Sequence, residues 1–213
     1  MTDEHAGDAD LKEARENLAF MRSLAQSAEQ HNRPLGLALF FAGLIYGAQT
    51  FVQWADAAGL ISLSGPLHIS LAIGFSALFL IVLGVIIWTH RGEKMRSVAS
   101  RAYEAAFAAA GLSNLAIVSV FILASIRFDD AGIWYFYTPI VFAFQGAAWY
   151  IAARLREKLW LGVVAFGWFA AAVGLGLTTH SPTYVLVVCL ALLLLLALPG
   201  WVIMRLAARD ARA

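Results

Sequence analysis

The sequence predicts an all-α integral membrane protein: a polytopic six-transmembrane-helix bundle preceded by an amphipathic helix on the cytoplasmic side. Three observations carry this expectation. Apolar runs of span length recur six times, Lys and Arg collect in alternate loops, and aromatic residues stand near the ends of the runs. The stretch from Ile133 to Lys158 shows all three. It opens on Ile133-Trp134-Tyr135-Phe136-Tyr137-Thr138-Pro139, continues as an apolar run containing Gln145, and closes on Trp149-Tyr150 and the basic stop Arg154-Leu155-Arg156-Glu157-Lys158. About twenty helical residues at ~1.5 Å each match a hydrocarbon thickness of about 30 Å.

Composition agrees. Hydrophobic residues make up 61% of the chain and charged residues 14%, with a mean hydropathy of +0.74, outside the range of water-soluble domains. The formal net charge of +1 says little, because the charges are segregated. No basic patch interleaved with aromatics occurs, which argues against nucleic acid as a partner. The single cysteine, Cys189, sits in a Leu/Val run and reads as a small apolar packing residue. The acidic, polar N-terminus lacks a basic region followed by an apolar core, so no cleavable signal peptide is expected.

Taken in order, residues 1–34 form the cytoplasmic segment. Asp10 and Glu13 fit a helix N-terminal cap, after which Leu11, Ala14, Leu18, Met21, Ala25 and Ala28 recur at spacings of three and four. That seam predicts a helix of about twenty residues, ended by Asn32-Arg33-Pro34 because proline lacks the N–H and restricts its predecessor. Its charges are mixed, so the seam Leu11, Leu18, Met21 and Ala25 is expected to pack on protein, in this molecule or another copy, rather than on anionic lipid.

Residues 35–205 form the transmembrane domain, with spans at 35–56, 67–89, 104–126, 133–153, 159–179 and 183–205, and residues 206–213 a short cytoplasmic tail. Placing the N-terminus, the 90–103 and 154–158 loops and the C-terminus in the cytoplasm puts fourteen of fifteen Lys/Arg residues there, leaving only Arg127 outside. The positive-inside rule therefore predicts a multi-pass protein of the cell membrane with both termini cytoplasmic. Trp54 and Trp134 fall at outer ends and Trp88, Trp160 and Trp201 at inner ends, whereas Trp168 falls near mid-membrane. The loop after the second span is expected to continue as helix into the third through Met95, Val98, Ala99 and Ala102. The Leu192–Leu196 run reads as a featureless surface suited to lipid or a loosely specified neighbour, and Pro199-Gly200 should bend the last span. Gln49 and Gln145 stand at similar distances from their span starts, as an inverted repeat requires, but no wider self-similarity accompanies them.

The deep membrane holds no ionisable side chain at its centre. Proton-driven carriers and pumps need one there, and voltage sensing needs a row of arginines, so both classes are disfavoured. Neutral polarity is present instead. Tyr46, Gln49, Gln53 and Asp56 form a stripe along the first span whose polarity rises toward the outer surface. Asn114 and Gln145 are expected at comparable mid-membrane depth. The small residues Gly43 and Gly47, and Gly167, Ala171 and Gly174 in the fifth span, allow close helix approach.

Two readings of the polar residues stay open. In one, Gln49, Asn114 and Gln145 only bond across helices and fix register. In the other, the stripe walls a ligand pocket open to the outside, with Asp56, His68 and His180 at its mouth and Asn114 and Gln145 at its floor. Asp56, His68 and His180 lack any spacing that holds a metal, so neither metal nor cofactor is expected. Asp129-Asp130 is an adjacent pair rather than a spaced diphosphate-binding motif, and no catalytic constellation supports an enzyme. The functional expectation is a membrane binding or scaffold protein. It would hold a lipid, a small amphipathic ligand or a membrane partner, use its cytoplasmic helix for protein contacts, and assemble as a homo-oligomer. The alternative is a small facilitator or channel for an uncharged or weakly polar solute along a Gln-lined face.

Overall fold

The computed structural model describes residues 33–91, 98–179 and 181–210. The predicted N-terminal helix with its seam of Leu11, Leu18, Met21 and Ala25 lies outside the described residues, as do Met95, His180 and the last three residues. Within them the chain is helical throughout and contains no strand. The elements are α1 (Arg33–Ala57), α2 (Gly65–Thr89), α3 (Val98–Phe128), a 3-10 segment (Ala131–Phe136), α4 (Tyr137–Arg156), α5 (Leu159–Leu177), α6 (Pro182–Leu192), a π turn (Leu193–Ala197) and α7 (Leu198–Asp210). α6, the π turn and α7 follow one another without a break and form one long rod.

Five helical stretches are long and apolar enough to cross a membrane: Arg33–Ala57, Gly65–Thr89, Ala105–Phe128, Leu159–Leu177 and Pro182–Arg209. α4 has the length, at 20 residues, but not the composition, since it carries Gln145, three aromatic residues with polar edges and two arginines in its last turn. Its position explains how that sequence is tolerated. Phe142, Gly146, Ala148, Trp149 and Ala152 are all buried, so much of α4 faces protein.

Local sequence sets the boundaries. α1 ends in a Schellman motif: Leu60 N–H donates to Ala55 O at 2.9 Å and Gly59 N–H to Asp56 O at 2.9 Å. Gly59 takes φ +75°, which the motif requires and a side chain would strain. Pro66 stands in the first turn of α2, where its missing N–H would have had no helical partner. The Asp130 carboxylate accepts from Gly132 N–H at 2.7 Å and starts the 3-10 segment. Glu157 closes α4 in the left-handed region, at φ 52°, and permits a tight turn into α5.

The helices pack in the order α2, α1, the rod, α5, α4, α3, with each touching its neighbours. α2 and α3 close the series at its two ends and hardly touch each other. The core is made by α1, the rod, α5 and α4, where Trp149, Trp168, Leu161, Leu175 and Cys189 are the largest fully buried side chains. α2 and α3 instead present a row of bare apolar residues, among them Ile69, Ile73, Leu80, Ile81, Leu112, Leu115 and Leu123. Such continuous apolar faces suit hydrocarbon rather than water.

Several sequence expectations change here. The Leu192–Leu196 run is not a featureless surface. Leu196 is buried, and Leu193 and Leu195 lie where side chains on Gly47 and Gly167 would collide with them. The irregularity of the last span is the π turn itself, one turn ahead of Pro199. Pro199 has no N–H to offer Leu195 O four residues earlier, and the chain resolves the loss in two ways. Leu198 N–H reaches back five residues to Leu193 O, and the indole N–H of Trp168 donates to Leu195 O at 3.1 Å. Trp168 thereby supplies from α5 the donor that the interrupted ladder lacks. α7 runs on to Asp210, so the helix continues into the segment expected as the short tail.

Gly43 and Gly47 form the closest helix contact, and it lies within the chain. A Cβ on Gly43 would fall 2.4 Å from Ala197 N, one on Gly47 2.7 Å from Leu193 Cδ2, and one on Gly200 2.4 Å from Phe40 N. Gly167 meets Leu195 in the same way, at 2.7 Å. These glycines are therefore occupied by the rod and are not free to join another copy. Ala171 packs against the buried core, whereas Gly174 has open space around its Cβ position and makes no close approach.

Candidate functional site

Between the helices lies a cavity of about 400 Å3, walled by all five described long helices and by the rod. α1 contributes Ala38, Leu39, Ala42, Tyr46, Gln49 and Thr50; α3 contributes Phe107, Gly111 and Asn114; α4 contributes Tyr137, Thr138, Val141, Phe142 and Gln145. Phe79 of α2, Trp168 of α5 and Val188, Leu192 and Leu196 of the rod complete it. Helical spacing explains the lining. Ala38, Ala42, Tyr46 and Gln49 follow at intervals of four, four and three on α1, and Tyr137, Val141 and Gln145 at intervals of four on α4.

Of the predicted pocket residues, Tyr46, Gln49, Asn114 and Gln145 share this wall. Gln53 and Asp56 do not, nor does His68. The stripe continues toward the cation-rich end through Ala42, Leu39 and Ala38, rather than outward through Gln53 and Asp56. Asp56 has a different task. One carboxylate oxygen accepts from Leu63 N–H at 2.7 Å and the other meets His68 Nε2 at 2.9 Å, so the side chain clasps the α1–α2 loop to the first turn of α2. The pair is partly exposed and is built as a loop fastening, not as a pocket mouth. His180, the other expected mouth residue, lies outside the described residues. No group of three His, Cys, Asp or Glu gathers as a metal site among the described residues.

Most polar groups in the wall are already matched. Tyr137 Oη donates to Asn114 Oδ1 at 2.8 Å, a bond that ties α4 to α3. Thr50 Oγ1 turns back onto its own helix, donating to Tyr46 O at 2.9 Å and Gly47 O at 3.1 Å. The Tyr46 hydroxyl hydrogen-bonds to Ser76 of α2. Gln49 and Gln145 differ from these. Each has its amide oxygen buried with no hydrogen-bond partner, and neither amide is bonded to another described residue. A buried amide oxygen without a partner costs about 1–3 kcal/mol, so two in one cavity wall are an expensive arrangement for register alone.

The rest of the wall is aromatic and apolar. Tyr46 and Phe79 pack with ring centroids 5.3 Å apart, and Phe142 meets Trp168 edge-on at 4.7 Å. Among the described residues, the cavity wall holds no carboxylate, no ammonium or guanidinium group and no histidine. It is within the range of small-molecule pockets, about 300–1,000 Å3, and shares their apolar lining with a few convergent polar groups. Sequence reading missed Phe79, Tyr137, Phe142 and Trp168 as wall residues. For Tyr137 a signal existed: it precedes Gln145 by eight residues and so shares its helix face. Phe79 carried none, because α2 is apolar all round.

Compared with known proteins, the chain matches no family model, no curated protein and no solved structure.

Proposed function

We propose that this chain is an integral membrane binding protein whose bundle holds a lipid or another small amphipathic molecule in the cavity between α1 and α4. The observation that carries the reading is the pair Gln49 and Gln145, whose buried amide oxygens have no partner among the described residues, in an otherwise largely apolar and aromatic wall. In this reading α4 is a sixth span, with one side packed on the bundle and Phe144, Tyr150 and Ile151 exposed on the other, and the cation distribution supports both termini lying in the cytoplasm. The N-terminal segment then serves as a cytoplasmic contact for a protein partner. Because Gly43, Gly47 and Gly167 are used inside the chain, a homo-oligomer would form through other surfaces, with the bare faces of α2 and α3 the most extensive. The facilitator alternative is weakened because Gln53 and Asp56, the outer part of its polar path, stand outside the cavity.

Native mass spectrometry of the protein, extracted gently from its own membrane, tests the reading. A retained lipid or small molecule is expected on the wild type and is expected to be lost from the Gln49→Leu, Gln145→Leu double variant. Bare protein from both preparations would overturn it. Removing residues 1–31 separates the alternatives: a scaffold loses its partner, whereas a simple pore keeps its flux in reconstituted vesicles.

A further inference from the structure

The chemistry of the cavity specifies its ligand more closely, given the binding reading above. We infer that it takes an uncharged amphipath whose head both donates and accepts hydrogen bonds, a hydroxyl or amide group, and that the ligand enters sideways between α2 and α3.

The head follows from what the wall leaves unmatched. A glutamine amide offers one acceptor and two donors. At Gln49 and Gln145 the oxygens are buried without a partner and no described residue is bonded to the nitrogens, while the hydroxyls of Tyr46, Thr50 and Tyr137 are engaged within the protein. An ester or ketone accepts only, and would leave the amide oxygens unpaired. A hydroxyl or amide satisfies both sides of the glutamine, at most after rotation of its terminal amide. A charged head would enter a low-dielectric space with no counter-charge, which is far costlier than burying a neutral polar group.

The route follows from packing. α2 rests on α1 and α3 rests on α4, but α2 and α3 hardly touch. Phe79 and Gly111 belong to the cavity wall from those two helices, and Gly111 is exposed. A Cβ on Gly111 would meet no atom within 4 Å, so the wall is open at that point. Toward the outer end, the Asp56–His68 clasp fastens the loop above α1 and α2. An apolar body lying in the α2–α3 seam stays in hydrocarbon while its head reaches the amides.

The experiment uses the full chain in nanodiscs and a photoreactive 1-acylglycerol bearing a diazirine on its chain, with adducts mapped by peptide mass spectrometry. Adducts are expected on α2, α3 and the cavity wall, and unlabelled 1-oleoylglycerol should suppress them. Methyl oleate, which cannot donate, and oleyltrimethylammonium, which carries a fixed charge, should be weaker competitors by about tenfold or more, the loss set by an unmatched buried polar group. Gly111→Leu fills open space and should reduce wall adducts by a similar factor. Gly84→Leu, on an exposed part of α2 with no neighbour within 4 Å, should not. Equal competition by all three molecules would sink the head-group inference while leaving the binding reading intact. Undiminished labelling in Gly111→Leu would sink the lateral route. Absence of any wall adduct that competes with any of the three would remove the binding reading as well.

Discussion

The contact of α1 with the rod and the pair α2–α3 are built on opposite principles from similarly apolar sequence. In the rod's most apolar stretch 44% of residues are buried, against 6% in the corresponding stretches of α2 and α3. Mean hydropathy does not follow this difference, since it is nearly equal in the rod and α2, at 2.8 and 2.7. Hydrophobicity therefore does not decide which helices form the core. Inside a bilayer, lipid tails satisfy an apolar side chain as well as protein does, and close packing with well-placed hydrogen bonds must supply the difference. α1 and the rod have both: Gly36, Gly43, Gly47 and Gly200 bring their backbones together, and Cys189 Sγ lies 3.5 Å from Gly47 O. The glycines of α2, Gly65, Gly74 and Gly84, meet nothing within 4 Å.

This contrast is best broken at Gly43. Gly43→Leu drives a side chain into the Ala197 backbone and should lower stability by about 3 kcal/mol or more, or prevent folding, read as the unfolding midpoint in mixed micelles. A mild effect would mean that the rod and α1 are not locked at this point. A smaller loss is expected from Trp168→Phe, which keeps a ring against Phe142 but strips Leu195 O of its donor. It should cost about 1–3 kcal/mol by the same measurement, with the largest increase in amide exchange around Leu193–Ala197. On the other side of the comparison, Ile81→Ala removes an exposed apolar side chain from α2 and should change stability by no more than about 0.5 kcal/mol. A large loss there would reveal a partner covering α2.

The same physics explains what could be read from sequence. Span-length apolar runs and the spacing of Gly43 and Gly47 are local signals, and so are the positions of Asn114 and Gln145 within their spans. The neighbour that each face meets is not local. The Gly43 face fits a second copy as well as it fits the rod, and only the chain's fold selects the rod. The stripe from Tyr46 to Asp56 shows the limit most clearly. Its rising polarity looked like a pocket opening outward, yet Asp56 is polar because it fastens a loop, and the cavity extends along the apolar half of the same face. The π turn was foreshadowed by Pro199, whereas its remedy depended on Trp168, twenty-seven residues away from Leu195.

That indole has a mechanical consequence. A proline near the middle of a long membrane helix ordinarily supplies a hinge, because a missing rung lets the two halves swing. Here the loose rung is tethered to a neighbouring helix, and swinging the rod would tear the tether. The stiff half of the molecule is thus the half that contains its one mid-helix proline among the described residues, Pro199, and compliance is left to α2 and α3, the two staves on either side of the seam.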